Sequence, residues 1–187
     1  MPYLQASTDN PFGFIPYGKV LSIGAYRKDS AAAKIFAGDL VVLSSDGNVD
    51  VGTATSTAII GVAVESSAAS TTKEDFLIYD DPHQLFTVQD DSDTTGVTST
   101  SVGNNVSVVA TTGVAGTDRS AQELDSSTAD TTSTLPMKII DIHPIERTRQ
   151  SAGVARGFAT TTAQQRKWIV KINRHVKATN ELGAVGI

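Results

Sequence analysis

Asp39-Leu40-Val41-Val42-Leu43-Ser44, then Asp46-Gly47, then Thr57-Ala58-Ile59-Ile60-Gly61-Val62-Ala63-Val64 is the stretch on which the fold turns. Two short apolar runs rich in β-branched residues flank an Asp-Gly pair, the strongest short-range signal for a β-hairpin. The pattern extends in both directions, to Lys19–Gly24 before it and to 75–79, 84–89, 105–110, 136–142 and 166–173 after it. In the last run, period two sets Trp168, Val170 and Ile172 on one face and Lys167 and Lys171 on the other, as a half-buried strand requires. Helical turns are expected only at 30–36, ended by Gly38, and at 119–125. Strands this short and closely spaced leave no room for βαβ crossovers. They predict an all-β fold, a small β-barrel or β-tulip-like sandwich with little helix and long polar loops at 90–104, 111–134 and 148–165. No internal repeat at a fixed period is visible. The strand clusters 18–70 and 71–187 read as possible lobes of one β-rich domain, 18–187, since no Pro-rich or charged linker parts them.

Composition narrows the chemistry. About forty of the 187 residues are Ser or Thr and only 19% are charged, which favours strands and turns over helices. With no cysteine there is no disulfide framework, thiolate metal site or Cys nucleophile. The opening MPYLQASTDNPFGF lacks a basic segment followed by an apolar one, and no run approaches the length of a membrane span, so neither classical export nor membrane insertion is expected. Asn105-Val106-Ser107 matches a glycosylation sequon that this expectation leaves unused.

Residues 1–17 carry Pro2, Pro11 and Pro16 among Phe12, Phe14, Ile15 and Tyr17, a pattern of neither helix nor regular strand. This is read as an extended N-terminal arm whose apolar groups need a surface, on its own domain or on a neighbouring chain. The net charge of -5 is unevenly spread: residues 140–187 hold eight Lys/Arg against three Asp/Glu. One Trp and one Phe in that stretch give no stacking platform, so nucleic acid is not the expected partner.

No catalytic constellation emerges. His83, His143 and His175 stand in no metal-ligand spacing, and no nucleophile elbow or phosphate-cradling glycine loop is present. His83 beside Asp80 and Asp81, or His143 beside Asp141 and Glu146, would be the starting point for a hydrolase. Asp90, Asp91 and Asp93 offer oxygen ligands for Ca²⁺, but Ser101 stands where an EF-hand would need its bidentate Glu. A solvated acidic loop is the reading adopted, with no catalytic residue, cofactor or metal assigned.

Ala37-Gly38-Asp39-Leu40-Val41-Val42-Leu43, the Asp46-Gly47 turn, the Thr-rich 53–57 and Ile60-Gly61-Val62-Ala63 together resemble tailed-bacteriophage capsid decoration, or head-stabilising cement, proteins. Asp80-Asp81-Pro82, Val102-Gly103-Asn104 before Val106-Ser107-Val108, Arg119-Ser120-Ala121 and Trp168 to His175 extend the resemblance over much of 18–176. It implies a non-enzymatic virion protein, made in the host cytoplasm, that binds the outer surface of the expanded capsid and cements neighbouring major-capsid subunits against DNA pressure. It implies self-association, with a homotrimer favoured over a dimer or monomer, and neither nucleic acid nor membrane as a partner. The expected capsid-interface residues are Phe12, Phe14, Ile15 and Tyr17 in the arm, with Arg147, Arg149 and Arg156 facing acidic capsid surface. The long Ser/Thr/Asp-rich loops leave a second reading, a receptor- or carbohydrate-binding β module of a phage fibre or head.

Overall fold

The computed structural model describes residues 9–29, 33–68, 74–91, 93, 97–149 and 165–178, with backbone alone at 147–149. These form two antiparallel sheets, neither closed into a barrel, and the fold is all-β. The strands are β1 (Ile15–Tyr17), β2 (Ile23–Arg27), β3 (Leu40–Leu43), β4 (Val49–Val51), β5 (Ile59–Ala63), β6 (Asp75–Tyr79), β7 (Leu85–Gln89), β8 (Asn105–Val109), β9 (Glu123–Asp130), β10 (Met137–Ile142) and β11 (Lys167–Ile172). One short helix, α1 (Pro144–Arg149), and a 3-10 turn at Ser99–Ser101 complete the described elements.

The five-stranded sheet runs β2-β6-β5-β3-β4 and the six-stranded sheet β1-β7-β11-β10-β8-β9. Without β1, the two share one strand order: first, fifth, fourth, second, third. Registers agree as well. Arg27 opposite Asp75 and Tyr26 opposite Phe76 match Gln89 opposite Lys167 and Val88 opposite Trp168. Leu40 opposite Val62 matches Asn105 opposite Lys138, and Leu43 opposite Val49 matches Val108 opposite Leu124. Gly38 and Gly103, at φ +92° and +93°, lead into the second strand of each sheet, and their N–H groups donate to the carbonyls of Ala63 and Ile139 at 3.0 and 2.9 Å. The left-handed conformation at these two positions is one that glycine adopts without steric cost.

The chain is therefore a structural duplication, which the sequence reading missed. The offset between equivalent residues grows from 62 at Lys28 and Asp90 to 92 at Phe76 and Trp168, because the loops differ in length. No fixed period survives such drift. The chain passes from one repeat to the other between Tyr79 and Leu85, not at residue 70.

Two hydrophobic clusters follow from this layout. The larger gathers Phe86, Val88, Val106, Val108, Leu124, Met137, Ile139, Trp168 and Val170 from the six-stranded sheet and adds Phe14, Leu40, Ile59 and Val62. The smaller holds Ile35, Val41, Val49, Ile60, Ala63, Phe76 and Ile78. β5 feeds both, because a register shift between Val41 and Val42 puts Ile59 and Val62 in one cluster and Ile60 and Ala63 in the other.

Several local expectations are corrected. The strand expected at 19–24 begins at Ile23, since the Leu21 N–H donates to the Gln84 side chain at 3.0 Å rather than to a ladder. Residues 33–36 are not helical: the N–H groups of Ile35 and Phe36 go to Ser67 Oγ and Asp39 Oδ2. The rest of that turn, 30–32, lies outside the described residues. The helix expected at 119–125 is instead the approach to β9, where Gln122 accepts from Leu40 N–H and donates to the Gly52 carbonyl, and Leu124 enters the core. Tertiary contacts spanning 70 and 82 residues override local propensity there.

Candidate functional site

The arm is sewn into its own chain. Phe14 is 1% exposed and belongs to the larger core, so its expected place on a capsid interface gives way to intramolecular packing. Its N–H donates to the Gly38 carbonyl at 2.8 Å. Tyr17 stacks edge-on against His143 at 5.6 Å, and Lys167 Nζ lies 5.2 Å from the Phe12 ring centre. Ile15 alone of the four is exposed. Arg147 and Arg149 lie on α1, where only the backbone is described, and Arg156 lies outside the described residues.

A different apolar surface stands out. Val20, Leu21, Ile23 and Leu77 are 39, 50, 48 and 39% exposed, and Leu77 pairs with Ala25 next to Ile23 on the outward face of β2 and β6. The alternation of β2 places Ile23, Ala25 and Arg27 outward by period two. Nothing in the local spacing marked these residues, because an exposed and a buried apolar face read alike until the partner layer is known.

Among the described residues neither His83 nor His143 shares an imidazole hydrogen bond with a carboxylate. His83 is exposed, and its backbone N–H donates to Asp81 Oδ1. Burial, aided by Lys167, pushes the His143 imidazole below its ordinary pKa. His175 is fully buried, accepts the Lys177 N–H at Nδ1, and is held down to about 4 by burial and then by the Lys177 charge. Near it Asp80 Oδ2 accepts from Tyr26 OH at 2.7 Å and from Lys177 Nζ. Burial pushes the Asp80 carboxyl up, but those hydrogen bonds outweigh it and leave the group below its ordinary value. This knot ties the segment after β11 to the five-stranded sheet.

Carboxylates cluster where β7 ends and β9 begins. Asp90 accepts from Trp168 Nε1 at 2.9 Å and from Arg166 N–H at 2.8 Å, yet burial pushes it up to about 7. Glu123, raised to about 7 by burial and then by Asp9 and Asp91, accepts from Gln89, which also reaches Asp9. Asp91, Asp93 and Asp125 bring carboxylate oxygens within 4.8 Å of one another and are the described residues with the geometry to hold a hard cation. Ser126 already donates to both Asp91 and Asp93. The sequence exposed the run Asp90–Asp93 but not Glu123, which lies thirty residues beyond its end and is delivered by β9. Among the described residues no helix is long and apolar enough to cross a membrane. No protein-family model, curated protein or solved structure matches this chain.

Proposed function

We propose that this chain is a structural virion protein that binds the outer surface of the expanded phage capsid and cements neighbouring major-capsid subunits. The observation that carries this reading is the exposed apolar pair Ile23 and Leu77 on the outward face of β2 and β6, with exposed Val20 and Leu21 just before β2, on a duplicated β scaffold. Covering a few hundred Å² of such surface at about 25 cal/mol per Å² contributes several kcal/mol before ordering costs. Self-association into a trimer would multiply that through simultaneous attachment. The sequence resemblance supports the same reading. A carbohydrate-binding role has less support, because the one tryptophan, Trp168, is fully buried and has no face to offer a sugar.

The test is co-sedimentation with emptied expanded heads and with unexpanded procapsids. Removing residues 1–17 is a poor control, since it would delete β1 and take Phe14 out of the core. The substitution Leu21→Asp alters an exposed apolar side chain while leaving the backbone bond to Gln84 in place, so it is expected to keep the fold. Saturable binding to expanded heads, weakened by Leu21→Asp, is expected. Absence of binding to either particle, together with strong binding to a glycan, would replace this function with the receptor-binding one.

A further inference from the structure

The first strands of the two repeats, β2 and β7, have unlike outer edges. Through the shared register, Leu85, Phe86 and Thr87 of β7 correspond to Ile23, Gly24 and Ala25 of β2. In the second repeat those three residues pair with Tyr17, Pro16 and Ile15 of β1, the chain's own arm. In the first repeat β2 is the sheet edge, with no strand beyond it among the described residues. The outward faces beside these edges also differ: Ile169 is 5% exposed whereas its equivalent Leu77 is 39%, and Leu85 is half-buried whereas Ile23 is 48% exposed.

The edge of β2 also lacks the usual protection. Its sequence, Ile-Gly-Ala-Tyr-Arg, has no proline and carries one charge, at the end of the strand. Exposed apolar edges of this kind template pairing with another chain unless something covers them. The second repeat displays what fits there, a short extended apolar segment such as Ile15-Pro16-Tyr17.

The geometry points to β2 as a strand acceptor: Ile23–Ala25 takes an extended apolar segment of the major capsid subunit, as Leu85–Thr87 takes β1. The capsid as the source of that segment rests on the function proposed above. A second copy's β1 is not the occupant, because it is already paired with its own β7. Main-chain pairing supplies affinity in such strand addition, and contacts with alternate side chains supply selectivity.

The full chain carrying a benzoylphenylalanine photo-crosslinker in place of Ala25, bound to expanded heads, tests this directly. Crosslinking to the major capsid subunit is expected, and so is a loss of head affinity of about tenfold or more in the double variant Ile23→Lys with Leu77→Lys. Both residues are exposed, so an unchanged melting temperature checks that the variant folds. Crosslinking of one copy of this chain to another would overturn the capsid occupant in favour of β2 pairing with β2. Head binding that persists in the double variant without any crosslink would overturn strand acceptance and leave the cement function standing. If the unaltered chain binds no heads, the cement function falls, and the peptide Phe-Gly-Phe-Ile-Pro-Tyr-Gly becomes the probe. Shifts of the Ile23 and Leu77 methyl resonances would then uphold the acceptor edge, and their absence would overturn it.

Discussion

Each repeat is tied across its opening by the same joint, built from opposite charges. In the first repeat, Lys28 follows β2 and bridges Val49 of β4; in the second, Asp90 follows β7 and bridges Leu124 of β9. The Lys28 N–H donates to the Glu74 carbonyl and the Asp90 N–H to the Arg166 carbonyl, both at 2.9 Å. The next residues, Asp29 and Asp91, donate to Val49 and Leu124 at 3.1 and 3.0 Å. Both joint side chains are buried, at 0 and 1% exposure. The large aromatic on the fifth strand differs in step, Phe76 in the first repeat and Trp168 in the second, and only the indole has an N–H to give a carboxylate. Backbone geometry is thus kept while side-chain chemistry diverges. The second joint sits among Glu123, Asp91 and Asp9, which makes it the acid-crowded one.

The largest break in the comparison is at the fourth strand. Gly61 of β5 corresponds to Met137 of β10, which is fully buried. A Cβ at Gly61 would fall on the Tyr79 carbonyl oxygen and crowd Ile78, so the first repeat has no room where the second holds a whole side chain. Gly61→Ala is expected to lower stability by about 3 kcal/mol, measured by chemical denaturation, since overpacking against backbone relaxes poorly. Met137→Leu, of similar volume, should cost less than about 1.5 kcal/mol.

Next in size is Asp90→Ala, which strands the buried N–H groups of Trp168 and Arg166. A loss of about 2 kcal/mol is expected, with each unsatisfied donor contributing at the low end of roughly 1–3 kcal/mol. Trp168, the only tryptophan, reports the change by fluorescence. A variant that melts with the native protein would show that the second joint does not depend on its carboxylate.

The smallest effects are the pH limbs, and they have opposite signs. Asp90 and Glu123 have folded pKa values raised to about 7 from 3.8 and 4.5, so their favourable contribution is fully present below about pH 4 and is lost as pH rises through 7. His175 has a folded value lowered to about 4 from 6.5, so the unfolded chain binds the extra proton and stability is lost as pH falls from 6.5 towards 4. Asp80, also lowered, acts in the same sense on the acid side. Because the two limbs overlap between about pH 4 and 7 and two carboxylates there oppose one imidazole, the melting temperature should fall as pH rises across that range. Glu123→Gln should recover about 1 kcal/mol at pH 8 and nothing at pH 4. Recovery at both pH values would refute the ionisation account.

Legibility in the sequence followed the range of the interactions. The turn at Asp46-Gly47 was readable because it is local, the Gly47 N–H donating to the Ser44 carbonyl and the Ser44 N–H to the Asn48 carbonyl, but it joins β3 to the three-residue β4, which went unread, and not to the run at 57–64. The strand at 75–79 and the period-two face of β11 were readable for the same reason, Trp168, Val170 and Ile172 all being buried. β9 was not, because its Ser, Thr and Asp residues resemble a loop and only pairing with β8 makes them a strand. Of the arm, its apolar character was legible but not its destination.

The order of short β-branched runs and turns determined by itself that this protein is all-β, since strand and hairpin signals lie within a few residues of one another. Only the tertiary structure decided that the runs form the same five-stranded pattern twice, that Phe14 serves the core, and that β2 is a sheet edge among the described residues. Those outcomes rest on pairings and burial between residues tens of positions apart, which no local pattern encodes.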